Sequence, residues 1–320
     1  MRLKLRHRVQ RGPTPATPAL RPFHNQGTET ASAGHPRPTL GVMSDQDTSP
    51  HMDDARVIEL IDELVHQWRR RDGQSLTLAL RDHQSIALVM FGLTNHAVTA
   101  AAAIVTLYRA GEAGVIPTLA RQVIELGVTA VWVELCGKTA AEALMAEQSR
   151  QQLNELDEFI KIGMAGGEAA LEVVSKDKAW FLAHPGGRYF QERCRELQGG
   201  DRVYAIYRAA SEHCHATTAV VDKYLREPAP ASRAPASLAY QSDDEVHPWL
   251  MVALTMLVHA CRAFDRLDRD HAGKARLRQM AKEIGVLERL ELSPAGAIAH
   301  RQRTRAERDR RRTGARRAEP

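Results

Sequence analysis

From Asp53 to about residue 290 the apolar residues recur at helical spacing, and no stretch alternates with period two for long enough to build a sheet. That pattern leaves one kind of fold, helices packed on helices around a shared core. The segment "DDARVIELIDELVHQWRRR" sets the type: Val57, Ile61, Leu64, Val65 and Trp68 share a face, and Asp53 and Asp54 stand before them as candidate caps. A second helix is predicted from Ser85 to Glu112, closed by Gly111 and Gly114. Pro117 opens the next, "TLARQVIELGVTAVWVELCG", and Gly137 stops it. A more polar helix follows over 139–162, broken by "MAGGEA". Further helices are predicted over about 168–182, 188–197 and 201–226. After the linker "EPAPASRAPAS" come "HPWLMVALTMLVHACRAFDRLDRD" and "KARLRQMAKEIGVLERL". No fixed-period repeat signals a solenoid. The expected fold is all-α: a single helical bundle over 53–296, between a disordered, basic, Pro-rich arm at 1–52 and a disordered Arg-rich tail at 297–320.

Charge supports that division. Residues 1–42 hold six prolines and seven basic residues with Glu29 as the one acid, and residues 301–320 hold nine arginines against three acids. Each end carries +6 of an overall +5, so residues 43–300 stand at −7. An Arg-rich tail without interleaved aromatic residues implies weak, nonspecific attraction to nucleic-acid phosphates rather than base reading. The arm has no apolar core of signal-peptide length, and its prolines oppose the amphipathic helix of a transit peptide. Met43 and Met52 are alternative starts. Cys136, Cys194, Cys214 and Cys261 lie far apart with no CxxC pair, which reads as reduced, buried thiols in a cytoplasmic protein. Ser85–Tyr108 is free of charge when His96 is neutral, and long enough to span a membrane. Thr94, Asn95, His96 and Thr99 punctuate it, so a helix buried by its neighbours is expected, not a membrane span.

Two helices carry polar groups that need explaining. In "VIPTLARQVIELGVTAVWVEL", Arg121 and Glu125 are charged among apolar neighbours, one turn apart and able to pair. Buried ions need further partners. The second is "YRAASEHCHATTAVVDKY", Tyr207–Tyr224. On a continuous helix at about 100° per residue, Tyr207, Arg208, Ser211, Cys214, His215, Thr218 and Asp222 form one polar stripe, while His213 falls on the other side as a core or helix-contact histidine. Cys214 and His215 diverge too far for a thiolate–imidazole dyad, and His213 and His215 point nearly opposite ways and cannot clamp one metal. Glu212-x-x-His215 and Glu63-x-x-His66 match the spacing of carboxylate-bridged di-iron bundles. Glu63 and His66 are placed on the solvent side of their helix, and no metal or cofactor is expected.

The pair "RQVIE" (Arg121–Glu125) and "YRAASEHCH" (Tyr207–His215) resembles a family of uncharacterised, mainly bacterial helical proteins called domain of unknown function 5677. In that family an Arg-x-x-x-Glu helix precedes a Tyr-x-x-x-Ser-x-x-x-His helix. The likeness covers roughly residues 80–260, and it implies that Arg121, Glu125, Tyr207, Ser211 and His215 belong together in one bundle. Arg208-x4-His213 and Arg208-x6-His215 resemble the signature of the HEPN superfamily, helical proteins many of which are metal-independent ribonucleases of toxin and phage-defence systems. Ala209 stands where that signature is commonly polar. Under that resemblance Arg208 would stabilise a charged phosphorane and His215 would move the proton of the attacking 2′-hydroxyl.

Three readings stay open: a buried network of the five residues that fixes helix register, a pocket lined by the same five for a small molecule or peptide, and a nuclease centre at Arg208 and His215. Asn95, His96 and His259, polar in apolar helices, are candidates to extend the centre. A binding or regulatory role is expected ahead of catalysis, with a homodimer possible.

Overall fold

The computed structural model describes residues 52–74, 77–78, 84–164, 166–175, 180, 182, 184, 186–187, 189–226, 236–239 and 245–318. The arm at 1–51 and most of the expected linker lie outside them. The described residues form eleven α-helices: α1 Asp54–Arg69, α2 Gln84–Arg109, α3 Ile116–Cys136, α4 Lys138–Lys161, α5 Gly167–Ser175, α6 Phe190–Arg195, α7 Gly200–Glu212, α8 Thr218–Asp222, α9 His247–Asp265, α10 Lys274–Glu283 and α11 Pro294–Ala318. A two-residue antiparallel ladder, β1 Leu225–Arg226 with β2 Ser237–Leu238, is the one sheet among them. The all-α reading holds.

Local chemistry sets the helix ends. Asp53 caps α1, its carboxylate accepting the Arg56 N–H at 2.8 Å. Pro117 sits in the first turn of α3, and Gly137 ends that helix at φ 65°, a backbone conformation that favours glycine. The core is built around α3 and α9, which pack on each other. α2 lies against both, and α1 against α2 and α9. α3 and α9 approach closely because Gly127 has no side chain: a Cβ there would fall 2.7 Å from the Met256 carbonyl oxygen. Trp132, Ile124, Leu250, Leu254 and Leu257 fill the interior from these two helices.

α2 is long and apolar enough to cross a membrane by length and composition. It buries Met90, Ala97, Val98, Ala101 and Ile104 against its neighbours, yet Leu88 and Phe91 are exposed. The neighbours of α2 thus bury one of its faces and leave the other exposed. On α3, Arg121 and Glu125 are half-buried among apolar neighbours.

The largest revisions concern α7 and α11. A continuous helix over 201–226 does not form, because α7 stops at Glu212. The chain tightens there, His213 and Cys214 donating to the carbonyls of Ala210 and Ser211 three residues back, and the Thr217 hydroxyl then takes the Glu212 carbonyl at 3.1 Å. Residues 297–318 are not a disordered tail but part of α11. That helix turns His300, Arg303, Thr304, Glu307 and Arg310 partly inward. Because this face is polar, apolar periodicity could not reveal it.

At the start of α11, Ser293 is stitched to the end of α6: its N–H donates to the Glu196 carbonyl at 2.8 Å, and its hydroxyl to the Arg195 carbonyl at 2.7 Å. Arg303 then grips the Glu196 carboxylate with two donors, at 2.7 and 2.5 Å. Trp132 Nε1 donates to the same carboxylate at 2.7 Å, and the Arg303 guanidinium lies 5.3 Å from the Trp132 ring centre.

His259, inside α9, is buried, and burial followed by repulsion from Arg262 and Arg266 lowers its pKa to about 4. The unfolded ring, near 6.5, binds its proton first as pH falls. Stability is thus complete above pH 6.5 and lost as pH drops toward 4. Thermal unfolding should show roughly 1–2 kcal/mol of acid loss between pH 7 and 5 that His259→Leu removes. An unchanged pH profile in that variant would count against a buried neutral ring.

Candidate functional site

α3 presents Arg121 and Glu125 one turn apart, and α7, packed against it, presents Tyr207 and Ser211 at the same spacing. The four side chains interlock. Arg121 donates from Nε to Ser211 Oγ at 3.0 Å and from Nη2 to the Tyr207 hydroxyl. That hydroxyl donates onward to Glu125 Oε2 at 3.2 Å, and Ser211 donates to the Tyr207 carbonyl at 2.8 Å. The Arg121 guanidinium also lies 4.4 Å from the Tyr207 ring centre. Burial, and then the neighbouring Glu125 carboxylate, pushes the Tyr207 hydroxyl up to about 12, so near neutral pH it stays a donor.

His215 does not join. It is exposed and lies beyond the end of α7, so the stripe read from a continuous helix ends at Ser211. Arg208 is exposed as well, and the shared helix face that paired it with His215 does not exist. His213, at the C-cap, is half-buried and packs its ring edge-on to Trp249 of α9 at 5.5 Å, a contact between helices. Glu63 is engaged by Arg276 of α10 and by Gln67, rather than facing solvent beside His66. Asn95 accepts from Trp68 Nε1, His96 is hydrogen-bonded to Gln122, and His259 lies in the core. None of these three lines the groove beside the network. All four cysteines are free; three are buried and Cys214 is half-buried.

Sequence reasoning missed Arg193. On α6 it follows Phe190 by three residues and precedes Leu197 by four, which puts a charge beside an apolar stripe, the same signal that exposed Arg121. Its side chain is 11% exposed, with Nη2 3.8 Å from Glu125 Oε1 and Nη1 donating to Thr129 Oγ1 at 2.6 Å. Its Nε is buried and finds no acceptor among the described residues. Burial lowers the pKa of this arginine against the pull of Glu125. Phe190 lies beneath it at 5.7 Å and against Tyr207 at 4.2 Å.

An open groove of about 710 Å³ runs along this polar wall, where Arg121, Glu125, Thr129 and Arg193 face Leu88, Val89, Leu93, Leu126, Leu144 and Met145. Gly92 of α2 lines it too, and a Cβ there would meet nothing within 4 Å. Two arginines against one carboxylate leave the polar wall net positive.

Fold and site together define an α-helical bundle with an amphipathic, cationic groove. Residues 87–231 match a family described as a family of unknown function (DUF5677), so the chain resembles that family over a stretch containing every residue of the network and Arg193. No curated protein and no solved structure matches the chain.

Proposed function

We propose that the chain is a binding protein whose groove takes a small molecule or peptide combining an anionic group with an apolar body. Arg193 carries this reading: a largely buried cation in the groove wall whose nearest carboxylate, Glu125, stands off at 3.8 Å. A carboxylate, sulfonate or phosphate in the groove supplies the guanidinium with a closer counter-charge, and the leucines opposite hold its apolar part. The volume lies within the roughly 300–1,000 Å³ of small-ligand sites. Arg121, Tyr207 and Ser211 already satisfy one another, so they shape the wall rather than wait for a partner.

The probe is anilinonaphthalene sulfonate, which has both characters, titrated into the full chain by fluorescence. One saturable site is expected. Arg193→Gln should weaken it about tenfold, the loss of a charge-assisted hydrogen bond. Gly92→Leu should fill the groove and abolish binding without lowering the melting temperature. If both variants bind as the parent does, the groove is not the site.

A second surface supports the expected polyanion contact. Arg301, Arg305, Arg308 and Arg312 are all exposed and recur at helical spacing along α11. Nonspecific binding to duplex DNA should fall linearly on a log–log plot against salt, with a slope of about −3 to −4 for these four arginines. A salt-independent affinity would argue against it.

A further inference from the structure

Away from the groove, α4, the segment carrying His184, and α11 bring Glu142, His184 and Glu307 together. One ligand-type atom from each lies within 4.8 Å of the other two. The His184 side chain is 9% exposed and Glu142 13%. The imidazole has an assignable tautomer. Its Nδ1 lies 2.7 Å from the Trp180 carbonyl oxygen, which can only accept, so Nδ1 carries hydrogen. In the neutral ring Nε2 is then a bare lone pair, 3.8 Å from Glu142 Oε2. That oxygen is itself buried and accepts no hydrogen bond from the described residues. Nε2 and Glu142 Oε2 thus face each other in a buried place beside a second carboxylate, too far apart to hydrogen-bond directly and with room between them for an ion that both would ligate.

We propose that Glu142, His184 and Glu307 form a binding site for a divalent transition metal ion. One imidazole with two carboxylates suits Zn²⁺, Co²⁺ or Mn²⁺ better than Ca²⁺ or Mg²⁺, which take oxygen donors. Tetrahedral bonds near 2.1 Å set donors about 3.4 Å apart, so rotation of the two glutamates closes the site. The Trp180 carbonyl orients the imidazole from behind, as outer partners of metal-bound histidines do. The Trp180 ring, 4.5 Å away, packs against the imidazole. Lys138 contacts Glu142 Oε1 at 3.3 Å and Arg310 contacts Glu307 Oε2 at 2.8 Å, which tempers the affinity without occupying Glu142 Oε2. Three protein ligands leave a fourth position for water or another donor. A bound ion would also tie α11 to α4.

The test uses the full chain, stripped with EDTA and dialysed, then titrated with CoCl₂ by visible absorption and with ZnCl₂ by calorimetry. One equivalent should bind, with tetrahedral cobalt bands and a raised melting temperature. Glu142→Gln and His184→Gln should each weaken binding at least tenfold. His66→Gln, at an exposed histidine outside the cluster, should change nothing. Glu142→Gln keeps the shape of the side chain, so the test holds even if His184→Gln fails to fold. No saturable uptake, or uptake unchanged by Glu142→Gln, would overturn the proposal.

Discussion

Replacing Arg303 by alanine is expected to lower the unfolding free energy by about 3–5 kcal/mol, the penalty for breaking a buried pair from one side. Glu196 is 8% exposed and keeps its charge in place through Arg303's two donors. Trp132 Nε1 alone cannot neutralise it. Urea denaturation of the full chain measures the loss. Adding Glu196→Gln to Arg303→Met should recover most of it, because no charge is then stranded. Ending the chain at residue 296 should cost about as much as Arg303→Ala, although composition alone marks those last residues as dispensable. A loss below about 1 kcal/mol would place the pair among surface ion pairs.

Two chemically identical substitutions should move stability in opposite directions. In a helix interior Gly→Ala gains about 1 kcal/mol from propensity alone. At Gly92 the added methyl meets open space, so Gly92→Ala should stabilise by about 0.5–1 kcal/mol. At Gly127 the same methyl strikes the Met256 carbonyl oxygen and Cβ, at 2.7 and 2.9 Å. Main-chain atoms cannot step aside, so α3 and α9 must separate along the centre of the core. Gly127→Ala should therefore cost about 2–3 kcal/mol net, near the upper end for overpacking. Thermal melts of the two variants side by side decide it. Equal shifts would mean that the helix crossing is looser than the distances state.

The helices and their order were legible because apolar spacing is a local property. So was the meeting of Arg121 and Glu125 with Tyr207 and Ser211: each pair sits one turn apart, and charges on an apolar helix need partners. His215 was misplaced because the helix tightens and ends at His213 and Cys214, a local change in backbone bonding that periodicity does not register. Arg193 was within reach, standing beside the Phe190, Cys194 and Leu197 stripe. Arg303 was not, since in a run of arginines the inward one looks like its neighbours. Glu142, His184 and Glu307 come from three separate segments, and only tertiary packing joins them.

The grip of Arg303 on Glu196 also has a schedule. The two residues are 107 positions apart, with Arg303 made second. At translation rates of about 5–20 residues per second, Glu196 waits roughly 5–20 s for its counter-charge. During that interval the carboxylate cannot be enclosed beside Trp132 without stranding a charge. The α6 corner of the bundle therefore stays open while α9 and α10 are still being synthesised, and it closes only when α11 arrives.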